Sequence, residues 1–238
     1  MLPRIDTPIY ELILPVSKIK TKYRPFLVKE QKILLMAIQS DDSQFTQDNI
    51  KQIIRNCCLS EINIDELSST DIEYFFLQLR ARSIGEILEA KYRCENVVDG
   101  EPCKNLMAVN INLLDIEVDT SKYSDIVKIT ESVGIKLKCP NFKTLEILQK
   151  NGDVVNKAFD IVKNCIEYIF DENNFYYKHE VSDKELDEFM DSLSVDKFKE
   201  IENFFNNIPK LTKDVDVKCS KCGYEHKIHL EGLQNFLG

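Results

Sequence analysis

Lys218-Cys219-Ser220-Lys221-Cys222-Gly223-Tyr224 is the stretch whose reading decides the fold. Two residues between the cysteines make a tight turn, and Gly223 permits the positive φ with which a chain swings into a following strand. Val215 and Val217 alternate before it, and Lys227-Ile228-His229-Leu230 alternates after it, so the turn joins two strands. More than a hundred residues earlier, Cys94 and Cys103 flank Glu-Asn-Val-Val-Asp-Gly-Glu-Pro, again where one β-like run (Ile87–Arg93) ends and another (from Met107) begins. The four thiols read as two halves of one tetrahedral site, predicting one structural zinc held by Cys94, Cys103, Cys219 and Cys222. Four unligated thiols, or a redox Cys-x-x-Cys, are the alternatives. The redox reading is disfavoured because no βαβ context surrounds Cys219 and Cys222 and no helix clearly starts at them. His226, on the face of Tyr224, Ile228 and Leu230, is placed near the site but read as a strand residue rather than a ligand, as is His229.

The expected architecture is α+β: an N-terminal β-hairpin and helices over 1–86, a zinc-ribbon-like β region over 87–139 completed by 210–238, and a helical insert over 140–209. Residues 9–14 and 19–26 read as the hairpin, broken at Pro15. A helix is expected from Val28 to Gln39 on Ile33, Leu34, Met36 and Ile38. Ile50, Ile53, Ile54, Cys57 and Cys58 follow the spacing of one buried helical face, which makes both cysteines core residues. Thr70-Asp-Ile-Glu73 and Ser182-Asp-Lys-Glu185 have the capping-box form, and Ser194 is expected to cap a further helix. Val155, Ala158, Phe159, Val162, Cys165, Ile166, Ile169 and Phe170 predict one long amphipathic helix, with Cys165 packed inside it. Cys139 has no nearby partner in sequence.

Composition narrows the function. The chain has 238 residues, 31 Lys plus Arg against 40 Asp plus Glu, and a net charge of −9. That balance opposes a broad nucleic-acid-binding field. The basic groups Lys18, Lys20, Lys22, Arg24 and Arg80, Arg82, Lys91, Arg93 read as solvated faces. No apolar run reaches the ~20 residues of a membrane span, and the first residues resemble neither a signal peptide nor a presequence, so a reducing cytoplasm is expected. There eight cysteines are metal ligands and buried singletons rather than a disulfide framework. The deaminase, nucleophile-elbow, phosphate-loop, dinucleotide and zinc-protease signatures are absent, and a filled thiolate shell leaves no position for water, so no enzyme is expected. Leu233, Phe236 and Leu237 are candidate partner contacts; docking of the chain end on its own core is the other reading.

Leu2-Pro-Arg-Ile-Asp-Thr-Pro-Ile-Tyr-Glu-Leu12, Tyr23-Arg-Pro-Phe-Leu-Val-Lys-Glu-Gln-Lys-Ile-Leu-Leu-Met-Ala37 and Asp71-Ile-Glu-Tyr-Phe-Phe-Leu-Gln-Leu-Arg-Ala-Arg-Ser-Ile-Gly85 carry a family resemblance. So do Lys91-Tyr-Arg-Cys94, Phe204-Phe-Asn-Asn-Ile-Pro-Lys-Leu211 and Leu230-Glu-Gly-Leu-Gln-Asn-Phe236. Together the chain resembles the baseplate hub assembly proteins of T-even-type contractile-tailed bacteriophages. The resemblance implies a non-enzymatic, chaperone-like assembly factor that binds phage baseplate hub proteins in the host cell cytoplasm, or a permanent subunit of the virion tail baseplate. It hands over no catalytic residue, small-molecule substrate or nucleic-acid partner. A zinc-ribbon nucleic-acid-binding module and a carboxylate-based hydrolase, which would need a cleft with perturbed Asp or Glu residues, are the remaining alternatives. Cys94 and Cys103, with eight residues between them, depart from a symmetric Cys-x-x-Cys pair.

Overall fold

A computed structural model describes residues 6–40, 43–149 and 153–236. Strands β1 (Tyr10–Ile13) and β2 (Lys20–Tyr23) form the expected antiparallel hairpin. Helices α1 (Val28–Ile38), α2 (Ser43–Cys57) and α3 (Ser69–Ile84) follow, then β3 (Ile87–Arg93), β4 (Val97–Val98), β5 (Glu101–Pro102), β6 (Leu106–Asn112) and β7 (Glu117–Val118). Next come β8 (Ile126–Lys128), β9 (Gly134–Leu137), α4 (Phe142–Leu145), α5 (Val154–Cys165), β10 (Ile166–Phe170) and β11 (Phe175–Tyr177). The chain closes with α6 (Asp183–Asp191), α7 (Val195–Asn206), β12 (Leu211–Lys218), β13 (Glu225–Glu231) and a 3-10 turn over Leu233–Phe236. The expected α+β class holds.

Two compact units emerge: residues 1–64, 70–119 and 210–238 make the first, and residues 65–69 with 120–209 the second. Residues 120–139, which the sequence groups with the cysteine-bearing strands, belong to the second unit. Within the first unit, β3 pairs with β6, and β12 lies between β13 and β7. Val118 of β7 is the register partner of Leu211 of β12, so the long segment 120–209 leaves and re-enters the first unit at neighbouring backbone positions.

The helices of the first unit bury stripes that hydropathy alone only half reveals. In α1 the inner face is Glu30, Leu34 and Ala37, while Met36 is 61 % exposed. The Ile38 side chain lies outside the described residues. Glu30 tolerates burial because it accepts from the Leu27 N–H at 2.9 Å and pairs with Arg24. Ile50, Ile53, Ile54 and Cys57 form the inner face of α2 as expected, and Cys58 is half-buried beside Thr21.

Helix α3 begins at Ser69, so Thr70 lies inside the first turn and is not the cap its sequence suggested. Its acidic neighbours are used over long range instead. The buried Asp71 carboxylate accepts from the backbone N–H groups of Val16 and Ser17 at 2.8 and 2.9 Å, and Glu73 Oε2 accepts from Leu233 N–H at 3.3 Å. Leu233 and Phe236 are themselves buried, so the chain end docks on its own unit; Leu237 lies outside the described residues.

The second unit packs a four-stranded antiparallel sheet, in the order β11-β10-β9-β8, against helices. Its core joins Val127, Ile135, Leu137, Ile166 and Ile169 of the sheet to Val162 and Cys165 of α5, Leu186 and Met190 of α6, and Ile201 and Phe204 of α7. The expected long helix stops at Cys165, and Ile166–Phe170 is a strand. A bulge between Ile166 and Tyr168 lets Ile166 and Ile169 both face the core, and this reproduces in a strand the i, i+3 spacing of a helix. The second capping box is present: Ser182 Oγ accepts from Glu185 N–H while Glu185 accepts from Ser182 N–H. Ser194 caps α7 as expected.

Candidate metal centre

Cys94 directly follows β3, Cys103 precedes β6, and Cys219 and Cys222 lie in the turn between β12 and β13. The fold brings all four sulfurs within 4.8 Å of one another. Cys94 Sγ is 3.6 Å from Cys222 Sγ, and Cys103 Sγ is 3.9 Å from Cys219 Sγ. A metal with thiolates at about 2.3 Å in a tetrahedron separates its sulfurs by about 3.8 Å, so donor set and spacing are compatible with a zinc site. Tyr92, Met107 and Val217 pack around the sulfurs; Cys94 and Cys219 are each 1 % exposed. The cluster holds together residues the sequence selected, from both sides of a gap of more than a hundred positions.

The two halves share one backbone plan. In the second, Cys219 N–H donates to the Tyr224 carbonyl and Gly223 N–H donates back to the Cys219 carbonyl. In the first, Cys94 N–H donates to the Asn105 carbonyl and Lys104 N–H donates back to the Cys94 carbonyl. Lys104 and Gly223, each following the second cysteine of its pair, both take positive φ, 54° and 73°. The difference is an inserted hairpin. Cys103 N–H donates to the Asn96 carbonyl, and between them β4 and β5 pair Val97 with Pro102 and Val98 with Glu101. Without Val97–Pro102 the first half would also read Cys-x-x-Cys. The irregular spacing of Cys94 and Cys103 therefore comes from an insertion into a regular turn.

Side chains not flagged by the sequence complete the surroundings. Asn96 Nδ2 approaches Cys222 Sγ at 3.6 Å, and Asn105 Nδ2 approaches Cys219 Sγ at 3.5 Å and Ser220 Oγ at 3.2 Å. Both asparagines sit two residues after a cysteine of the first half, where the second half has Lys221 and Tyr224, so no shared pattern marks them in the sequence. His226 Nε2 lies 3.1 Å from Cys94 Sγ, so the strand histidine placed near the site is within hydrogen-bonding reach of a sulfur. His229 is turned elsewhere, its Nδ1 2.6 Å from Asp214 on the exposed face of β12 and β13.

Electrostatics differ between the halves. The backbone N–H groups of Cys222 and Lys221 bring the Cys219 thiol down to about 6, and that of Tyr224 lowers Cys222. Burial pushes Cys94 up to about 12. A turn of N–H groups aimed at sulfur stabilises thiolates, the form in which cysteine binds metal. The other cysteines are packing residues: Cys57, Cys139 and Cys165 are buried, and burial raises Cys57 to about 11 and Cys165 to about 12.

The basic groups noted in the sequence are largely engaged. Lys20 and Lys22 pair with Glu11, Arg24 with Glu30 and Arg82 with Glu86, and Arg80 is buried. Among the described residues no helix is long and apolar enough to cross a membrane.

Comparison with known proteins adds lineage to this geometry. A family model described as "T4 bacteriophage base plate protein" matches residues 7–238. A protein of Enterobacteria phage T4 named baseplate hub assembly protein gp26 is 25 % identical over 214 residues, covering 90 % of each chain. No solved structure matches.

Proposed function

The chain belongs to the T4 bacteriophage base plate protein family, and on that premise we propose that it is an assembly factor for the central hub of a phage tail baseplate. It acts without catalysis, by docking to hub proteins in the host cell cytoplasm and holding or masking their surfaces until they are built in. The observation that carries this reading is the end-to-end likeness to a protein named for baseplate hub assembly, which covers 90 % of both chains. A short shared motif would support only a shared module; this likeness takes in both compact units.

One zinc held by Cys94, Cys103, Cys219 and Cys222 serves that role structurally. The four-thiolate shell leaves no open coordination position, and it ties β3 and β6 to β12 and β13. His226 then supports the shell from outside, through its contact with Cys94, rather than entering it.

The test is affinity purification of the tagged protein from infected cells, with mass spectrometry of both the eluate and purified virions. Recovery of hub proteins in the eluate, with the protein absent from virions or far below stoichiometric, is the expected result. Stoichiometric presence in virions would make it a permanent baseplate subunit. Failure to bind any hub protein, with normal hubs after deletion of its gene, would overturn the proposal. Binding to DNA or RNA that weakens steeply with salt would revive the nucleic-acid alternative.

A further inference from the structure

The inserted hairpin, Val97–Pro102, is not required by the cluster it interrupts. The second half makes the same turn, with the same two backbone hydrogen bonds, using two residues between its cysteines. Yet the insertion is built to hold a shape. Asp99 and Gly100 occupy its tip with positive φ, 51° and 85°, the two-residue turn that matches the twist of a tight hairpin. Its base is closed by the Cys103–Asn96 hydrogen bond, with Cys103 directly after Pro102 and Cys94 three residues before Val97.

Every residue from Val97 to Pro102 is exposed. Val97 and Val98 are 59 % and 43 % exposed. Pairing puts Val97 and Pro102 on one face and Val98 with Glu101 on the other. From Glu95 to Pro102 the segment carries three carboxylates (Glu95, Asp99 and Glu101) and no basic side chain. An isolated two-stranded hairpin is marginal in water, so anchoring at the cluster is what keeps this one ordered. Such an element contributes nothing to the core and exposes apolar side chains on a pre-shaped support.

We infer that this hairpin is a docking finger for a hub protein, which grips it from both sides, one apolar wall against Val97 and Pro102 and the other against Val98, with lysine or arginine at the rim. Charge complementarity chooses that partner surface: an acidic finger is repelled by an acidic rim and steered toward a basic one. The inference rests on the assembly role proposed above and names the element that performs it.

The experiment compares wild type with three variants: deletion of Val97–Pro102, which joins Asn96 to Cys103; Val97→Ser with Val98→Ser; and Asp99→Asn with Glu101→Gln. Each is measured for bound zinc, for cooperative unfolding, and for binding to each purified hub protein of the phage across a salt series. The expected result is retained metal and folding in all three, with loss of about tenfold or more in hub binding for the deletion and the valine pair. The carboxylate pair should weaken binding several-fold at low salt and flatten its salt dependence. Should the deletion lose metal, the valine pair, which leaves the backbone path intact, carries the test. A valine pair that binds a hub protein as wild type does would overturn the finger and leave the assembly role standing. Wild type that binds no hub protein would overturn both.

Discussion

Lys104 and Gly223 do the same job in the two halves of the cysteine cluster. Each donates its N–H to the carbonyl of the first cysteine of its pair, from a left-handed backbone. For a side chain with a Cβ that conformation costs about 1–2 kcal/mol. No heavy atom lies within 4 Å of a Cβ added at Gly223, so Gly223→Ala tests backbone strain alone. It should destabilise by about 1–2 kcal/mol in urea unfolding of the metal-loaded protein. Lys104→Gly should be neutral or gain up to about 1 kcal/mol, the relieved strain being offset by the looser unfolded chain. A Lys104→Gly loss larger than that of Gly223→Ala would break the equivalence.

Purified protein should carry about one zinc equivalent, and Cys103→Ser should lose it as readily as Cys219→Ser. Metal analysis with thermal unfolding before and after chelation reads both. Unchanged stability after complete metal removal would refute a structural metal.

Asp71 joins the start of α3 to the connection between β1 and β2 through two N–H donors. Asp71→Ala leaves both without their acceptor and should cost about 2–3 kcal/mol, because charge-assisted bonds are lost in a buried setting. A loss under about 0.5 kcal/mol, the range of ordinary surface changes, would show that the connection is held by other contacts.

Glu73 gives the protein a pH dependence opposite in sign to that of a paired carboxylate. Burial raises it to about 7 from 4.5, while the Leu233 N–H pulls the other way. Below 4.5 the group is protonated in both the folded and unfolded states and costs nothing. As pH climbs toward 7 the unfolded chain releases its proton first, so stability falls, and above 7 the loss is constant. Its size is at most about 3 kcal/mol. Glu73→Gln, which keeps an acceptor for Leu233, should flatten the stability profile between those pH values and exceed wild type at pH 8. Parallel profiles for the two proteins would contradict this.

Regular strands announced themselves in the sequence. Ile87–Arg93 and the alternation around Val215 and Val217 are legible because alternate residues of each are exposed and at least half-buried, and Cys219–Gly223 because its turn has a fixed chemistry. Long-range use of polar groups was not. Thr70-Asp-Ile-Glu73 has the form of a cap, but its carboxylates are committed to residues 54 and 160 positions away. The bulge in β10 disguised a strand as the end of a helix. A buried Glu30 on the inner face of α1 displaced Met36, which any hydropathy rule would place inside. The repeat linking Cys94 to Cys219 was hidden by the hairpin within it, since spacing is the only thing a sequence shows of a turn.

The pairing of Val118 with Leu211 sets a timetable for the growing chain. Cys103 and Cys219 are 116 residues apart, so the first two thiols exist throughout synthesis of everything between them. An unstructured loop of that length carries a closure penalty that grows with the logarithm of its length. If the intervening unit has already collapsed, the thiols are brought together across a compact bead instead. Metal capture at the proposed zinc site would then come late on the ribosome, marking a chain whose middle has already been made.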